Sequence, residues 1–215
     1  MMVTEYNDPG YRPMSMLNLA GFLSRSAVNG PGIRAVVWVQ GCPFRCEGCF
    51  NGQFQSFSPA TLVDPDDLAR AILSIPGIDG VTFSGGEPFA QAGPLAELGE
   101  RLRRAGLSVI TYSGYTTEQL AEGNDPTWPA LLAVTDLLIT GPYVAGLAAP
   151  DPLKGSANQQ VIALGTRIPV PRKAACPAGA GSRMEFTIAP DGTVTTTGFP
   201  TPALVTEFSS RCGGS

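Results

Sequence analysis

Three cysteines fall within eight residues, in the run Cys42-Pro43-Phe44-Arg45-Cys46-Glu47-Gly48-Cys49, directly after the β-branched run from Ile33 to Val39. Such a run builds a buried strand. The chain must therefore fold so that a strand delivers three thiols to a loop at its carboxyl end, where α/β folds place their sites. Three thiolates on one short loop can bind three irons of a single cubane and leave the fourth iron open. The competing reading of the same residues is a structural zinc site or a closed cluster, with Cys176 or Cys212 as fourth ligand. Zinc sites typically use well-separated Cys-x-x-Cys pairs, or Cys with His, and the 215 residues include no histidine. Any metal site in this chain rests on thiolate or carboxylate.

Five cysteines, an odd number with three clustered, suit metal ligation in a reducing compartment better than a disulfide framework. No apolar run approaches the roughly 18 to 20 residues that span a bilayer, and Met1 to Gly10 is polar and acidic where a secretory signal is basic and then apolar. These features predict a cytoplasmic protein with no membrane partner. A net charge of −4 does not supply the clustered cations that neutralise phosphates, which sets nucleic acid aside.

Residues 1–15 read as a flexible N-terminus and 16–215 as a single domain, with a core over about 19–164 and a C-terminal hairpin over about 184–199. Asp64-Pro65 predicts the cap and first residue of a helix with Leu68, Ile72 and Ile75 on its apolar face, ended by Gly77 and Gly80. Val81 to Phe83 is a short strand, Leu95, Leu98 and Leu102 mark a second helix stopped by Gly106, and Leu107 to Tyr112 is a third strand. A weaker helix at Ala130 to Val134 precedes strands at Leu137 to Ile139 and Val161 to Leu164. Met184, Phe186 and Ile188 alternate with polar residues, Pro190-Asp191-Gly192 turns the chain, and Val194 to Thr197 returns as an antiparallel partner. Strands separated by helices imply right-handed crossovers and a mainly parallel sheet. The predicted fold class is α/β, a partial, open β/α barrel with a small antiparallel hairpin. Fewer than eight strands leave an open side next to the site.

The strand at Val81 to Phe83 runs into Ser84-Gly85-Gly86-Glu87-Pro88. Two glycines let a ligand approach the backbone, and Glu87 offers a carboxylate to an ammonium group, although a Gly-Gly turn is common in its own right. Together with the cysteine loop the segment is specific, and the chain resembles the radical S-adenosylmethionine superfamily, which pairs three cysteines at this spacing with a Gly-Gly-Glu segment on the next strand. The resemblance implies one 4Fe-4S cluster held by Cys42, Cys46 and Cys49, the metal ligands and catalytic centre. It implies S-adenosylmethionine bound to the open iron and cleaved to a 5'-deoxyadenosyl radical that abstracts hydrogen from substrate. Gly85, Gly86 and Glu87 become contacts to its methionine portion, and Phe50, Ser113 and Asn158 further cofactor-binding residues.

The segments Asn29-Gly30-Pro31-Gly32-Ile33-Arg34, Gln40-Gly41, Phe50-Asn51, Tyr112-Ser113-Gly114-Tyr115-Thr116, Gly141-Pro142-Tyr143 and Gly155-Ser156-Ala157-Asn158-Gln159 narrow the resemblance. They look like the activating enzymes of glycyl-radical proteins, especially those of anaerobic ribonucleotide reductase. Similarity runs from about Leu19 to Leu164. Asn29 stands where that group commonly has an acidic residue, Thr140 where Asp is expected, and the hairpin lies outside the pattern. The resemblance implies a glycyl-radical protein as substrate and an external electron donor such as flavodoxin or ferredoxin; the open side of the sheet is expected to admit an extended loop of that partner, which docks around the cysteine loop and the segment from Tyr143 to Lys154. The alternatives are a stand-alone radical enzyme acting on a small molecule or peptide, and a non-enzymatic iron-sulfur or zinc-binding module. Arg34 is expected as a structural ion-pair partner, Tyr112 and Tyr115 as strand-end packing or ligand contacts, and Cys176 and Cys212 as free thiols too few for a second cluster.

Overall fold

Arg34 to Val39 is buried at every position, the mark of a strand covered on both faces, and it forms β2 near the middle of a seven-stranded sheet. The computed structural model describes residues 16–148, 151–168, 184–188, 191–192 and 194–199. Residues 1–15, Cys176, Cys212 and Pro190 lie outside the described residues. The other strands of the sheet are β1 (Leu17–Ser26), β3 (Thr61–Val63), β4 (Gly80–Gly85), β5 (Ser108–Tyr112), β6 (Leu137–Thr140) and β7 (Gln160–Ala163), in the order β3-β1-β2-β4-β5-β6-β7. β2, β4, β5 and β6 run parallel, while β1 lies antiparallel to β2 and β3, and β7 antiparallel to β6. The architecture is a mixed α/β fold on a large, mostly parallel sheet.

Helices α1 (Pro65–Leu73), α2 (Ala92–Arg104), α3 (Thr117–Glu122) and α4 (Trp128–Val134) supply Ile72, Leu98, Leu102, Leu120 and Leu131 to the core against Val37, Phe83 and Val109. The Asp64 carboxylate accepts the N–H groups of Asp66 and Asp67, a cap of about 1 kcal/mol. α1 ends at Leu73, ahead of Pro76 and earlier than the expected stop at Gly77. α2 ends as expected before Gly106, at φ +92°. No described helix is long and apolar enough to cross a membrane.

Because strand side chains alternate, Arg34, Trp38, Thr82, Ile110 and Tyr112 share the other face of the sheet. There Ile110, Leu137 and Ile139 pack with Leu153 and Ile168 in a second core. Strands β8 (Met184–Ile188) and β9 (Val194–Gly198) form the expected antiparallel hairpin. Glu185 accepts from the Ser26 hydroxyl and the Ala27 N–H, and the buried Asn29 amide pairs reciprocally with the Thr197 hydroxyl at 2.9 and 3.1 Å.

Arg34 corrects its expectation. It makes no ion pair among the described residues: Nε donates to Thr82 Oγ1, Nη1 to Pro31 O and Ser108 Oγ, and Nη2 to Val81 O and Ser108 O. All five donors are used on neutral oxygens, which ties β2, β4 and β5 together at their amino ends. Burial lowers its pKa to about 10, so it stays charged at neutral pH.

Candidate active site

Beyond Val39 the chain turns at Gly41, whose φ of +100° favours glycine, and enters the cysteine loop. Gly41 N–H donates to Phe54 O at 2.8 Å, Cys42 N–H to Gln55 O at 3.1 Å and Cys49 N–H to Cys46 O at 3.3 Å, so the loop folds back on the segment after it. Phe44 packs edge-on against Tyr115, ring centroids 4.8 Å apart, and lies where a β-carbon at Gly114 would collide with it. All three thiols are half-buried, and all three line one cavity of about 120 Å³ with Gly85, Gly86 and Glu87. Burial is the main reason that the Cys42 thiol is pushed up to about 11, with Glu87, Cys49 and Cys46 adding to the rise. Without a metal this thiol keeps its proton, and a bound metal must displace it.

The two glycines have a different reason from the one the sequence suggests. Gly86 N–H donates to Val39 O at 2.7 Å and Glu87 N–H to Gly41 O at 2.8 Å, which seams β4 to the start of the cysteine loop. A β-carbon at Gly86 would collide with the Gly41 carbonyl, and one at Gly85, at φ +102°, with the backbone of Trp38 and Val39. The glycines permit a backbone junction. Both also line the cavity.

Glu87 is 1% exposed. Its Oε1 accepts from Phe89 N–H at 2.9 Å and Ser113 Oγ at 3.0 Å, and its Oε2 from Gly114 N–H at 2.7 Å. Burial pushes its pKa up to about 7, against the pull of these three donors. One carboxylate thus joins the ends of β4 and β5 beside the cysteines, and Oε2, with a single donor, retains capacity for another.

Phe50 lines the cavity and meets Tyr143 at 4.9 Å and Phe199 at 6.4 Å between ring centroids. Ser113 lines it too. Asn158 does not: its exposed amide donates to Pro142 O at 2.8 Å. The neighbouring Gln159 does line the cavity, and its side chain gathers Gly155, Ser156 and Gly141. Tyr115 packs between Phe44 and Trp128, whereas Tyr112 lines the cavity and its buried hydroxyl has no partner among the described residues. Phe199 was not foreseen. Its ring lies 5.9 Å from that of Tyr112, at the border with a second chamber of about 980 Å³ between the sheet and β9.

The donor set fits a cubane, which takes one thiolate per iron and leaves the last iron for a ligand. Among the described residues no group of three or more Cys, Asp or Glu is gathered as a site for a single metal ion. Beside the thiols, a buried carboxylate in a cavity that no other Asp, Glu, Lys or Arg lines among the described residues fits the ammonium of an amino-acid moiety.

A family model described as a 4Fe-4S single cluster domain matches residues 28–162. The anaerobic ribonucleoside-triphosphate reductase-activating protein of Haemophilus influenzae is 29% identical over 152 residues, 66% of this chain and 96% of that protein. Its namesake in Vibrio cholerae is 30% identical over 154 residues, 67% of this chain and 97% of that protein. The pyruvate formate-lyase-activating enzyme of Clostridium pasteurianum is 33% identical over 108 residues, 47% of this chain and 45% of that enzyme. The chain belongs to the 4Fe-4S single cluster domain family and is a radical S-adenosylmethionine enzyme, with a 4Fe-4S cluster and S-adenosylmethionine as its cofactors.

Proposed function

We propose that this protein installs a glycyl radical on a partner enzyme, and that Cys42, Cys46 and Cys49 hold its cluster. The observation that carries the reading is the convergence of three thiols and one buried carboxylate on a single cavity, in a chain whose relatives are named activating proteins. When bound, the cluster and S-adenosylmethionine supply one-electron cleavage of a carbon-sulfur bond, which yields a 5'-deoxyadenosyl radical able to take a hydrogen atom from a glycine. Glu87 accepts the cofactor's ammonium at Oε2, Ser113 and Gly114 hold that carboxylate in place, and Gly85 and Gly86 border the methionine moiety. Phe50, backed by Tyr143, packs against the adenine and keeps water from the site. Asn158 acts at one remove, through the Gly141-Pro142 turn. Residues 16–215 work as one domain, a partial and open β/α barrel, and an external flavodoxin or ferredoxin provides the electron.

Anaerobic mixing of the reduced, cluster-loaded protein with the glycyl-radical protein of its host tests the reading. A stable protein radical is expected, with a hydrogen splitting that collapses when the target glycine is replaced. Turnover of a small molecule with no protein radical would overturn the activase assignment.

A further inference from the structure

The hairpin lies beyond residue 162, where the family match ends, yet it delivers a side chain to the cysteine cavity. That side chain is Phe199, directly after β9. The strand ends on Gly198 at φ +113°, a conformation that favours glycine, so the chain turns immediately ahead of Phe199. Phe199 joins a run of four rings drawn from four separate segments of the chain. Centroids lie 4.9 Å apart from Tyr143 to Phe50, 6.4 Å from Phe50 to Phe199 and 5.9 Å from Phe199 to Tyr112. All four residues line the cavity of the three thiols and Glu87. The cavity therefore has a carboxylate for a charged ligand group and, on the rings, apolar π surface suited to a heteroaromatic base.

An anchor two residues earlier fixes the position of Phe199. Thr197 and Asn29 are both buried, and the Asn29 amide donates to the Thr197 hydroxyl at 2.9 Å and accepts from it at 3.1 Å. Only a group that can do both sustains this exchange, and a carboxylate can only accept. Among the described residues no strand pairing ties β9 to the seven-stranded sheet, so the hairpin depends on such side-chain bonds for its seat.

We propose that Phe199 binds the adenosyl group of S-adenosylmethionine, so that the hairpin supplies part of this chain's cofactor site from outside the matched residues 28–162. The proposal rests on the placement of the cofactor in the cysteine cavity. Glu87 takes the charged methionine end, while Phe199 and Phe50, meeting at 79°, offer their rings to the adenine end. Asn29 lines no part of that cavity and acts as a positioning residue, through Thr197.

The test is equilibrium binding to the cluster-loaded protein, with the cluster oxidised so that no ligand is consumed. Two ligands are compared: S-adenosylmethionine, and S-methylmethionine, a sulfonium with the methionine portion and no adenosyl group. Phe199→Ala should weaken S-adenosylmethionine about tenfold or more, as loss of one ring under a base does, and change S-methylmethionine by less than about twofold. Phe199→Leu, which keeps apolar bulk without a ring face, should still cost S-adenosylmethionine about fivefold or more. Asn29→Asp should also weaken S-adenosylmethionine selectively, but should add nothing in the Phe199→Ala background, because both changes act on one contact. Unchanged S-adenosylmethionine affinity in Phe199→Ala, an equal loss of both ligands, or wild-type affinity in Phe199→Leu would overturn the proposal. Glu87→Ala separates the two levels, since it should weaken both ligands: if it weakens neither, the placement of the cofactor fails, and if it weakens both while Phe199→Ala weakens neither, the role of Phe199 alone fails.

Discussion

Relative to a Glu87→Gln variant, the wild-type protein is expected to lose about 3 kcal/mol of folding stability as the pH rises from about 4.5 to about 7. The carboxyl is buried, and its pKa stands near 7 in the folded protein against an ordinary value of 4.5. A group raised in this way contributes stability that is fully present below its unfolded value and is lost as the pH climbs through the folded one. Each unit between the two values is worth about 1.4 kcal/mol, which gives the total. The glutamine does not titrate. Its amide meets the Gly114 N–H that the carboxylate now accepts, a fixed offset of about 1 to 3 kcal/mol that does not vary with pH. Urea unfolding of both proteins at several pH values between 4.5 and 8 isolates the varying part. A difference that stays flat across that range would mean that the three donors hold Glu87 ionised, and would refute the reasoning. On the functional side, Glu87→Ala removes the carboxylate acceptor and should weaken S-adenosylmethionine binding roughly 10- to 150-fold, the equivalent of about 1.5 to 3 kcal/mol.

Arg34→Lys should lower unfolding stability by about 3 to 6 kcal/mol in urea titrations, because an ammonium supplies three donors where five buried oxygens are now served; a loss under about 1 kcal/mol would show that those oxygens find other partners. Asn29→Asp should loosen the hairpin's hold on the sheet, since a carboxylate cannot donate to Thr197 or Ser26 and only the Glu185 bonds among those described remain, and amide exchange within 184–188 and 194–198 should speed up about fivefold or more while the central strands are unaffected.

The parts of this molecule that were legible in its sequence are those fixed by near neighbours. Asp64-Pro65 caps its helix through residues two and three positions on, and the cysteine loop follows its strand as the β-branched run requires. α3 could have been found on the same terms, because Thr116 and Gln119 form a capping box that the sequence displays. β1 was harder to see: it mixes intermediate and exposed positions around Gly21 and Ser24, and its pairing with β2 carries register shifts, so no clean alternation marks it. What stayed hidden depends on distant chain. Glu87 looks like a free carboxylate until β5 brings Ser113 and Gly114, 26 and 27 residues later, and the purpose of Gly86 is visible only when Gly41 is placed against it. Arg34 seems to ask for an acid, yet three strands surround it with carbonyls and hydroxyls. The hairpin's alternation was plain, but its seat, fixed by a bond between residues 168 positions apart, was not.

The central claim is that three thiolates hold a 4Fe-4S cluster with one iron left for S-adenosylmethionine, and Mössbauer spectroscopy on protein loaded with isotopically enriched iron tests it most directly. The account predicts that one of the four irons differs from the rest, that its spectrum changes when S-adenosylmethionine is added, and that Cys42→Ala, Cys46→Ala or Cys49→Ala each prevents assembly of the cluster. Four equivalent irons indifferent to S-adenosylmethionine, or a full cluster retained in the Cys46→Ala protein, would contradict it.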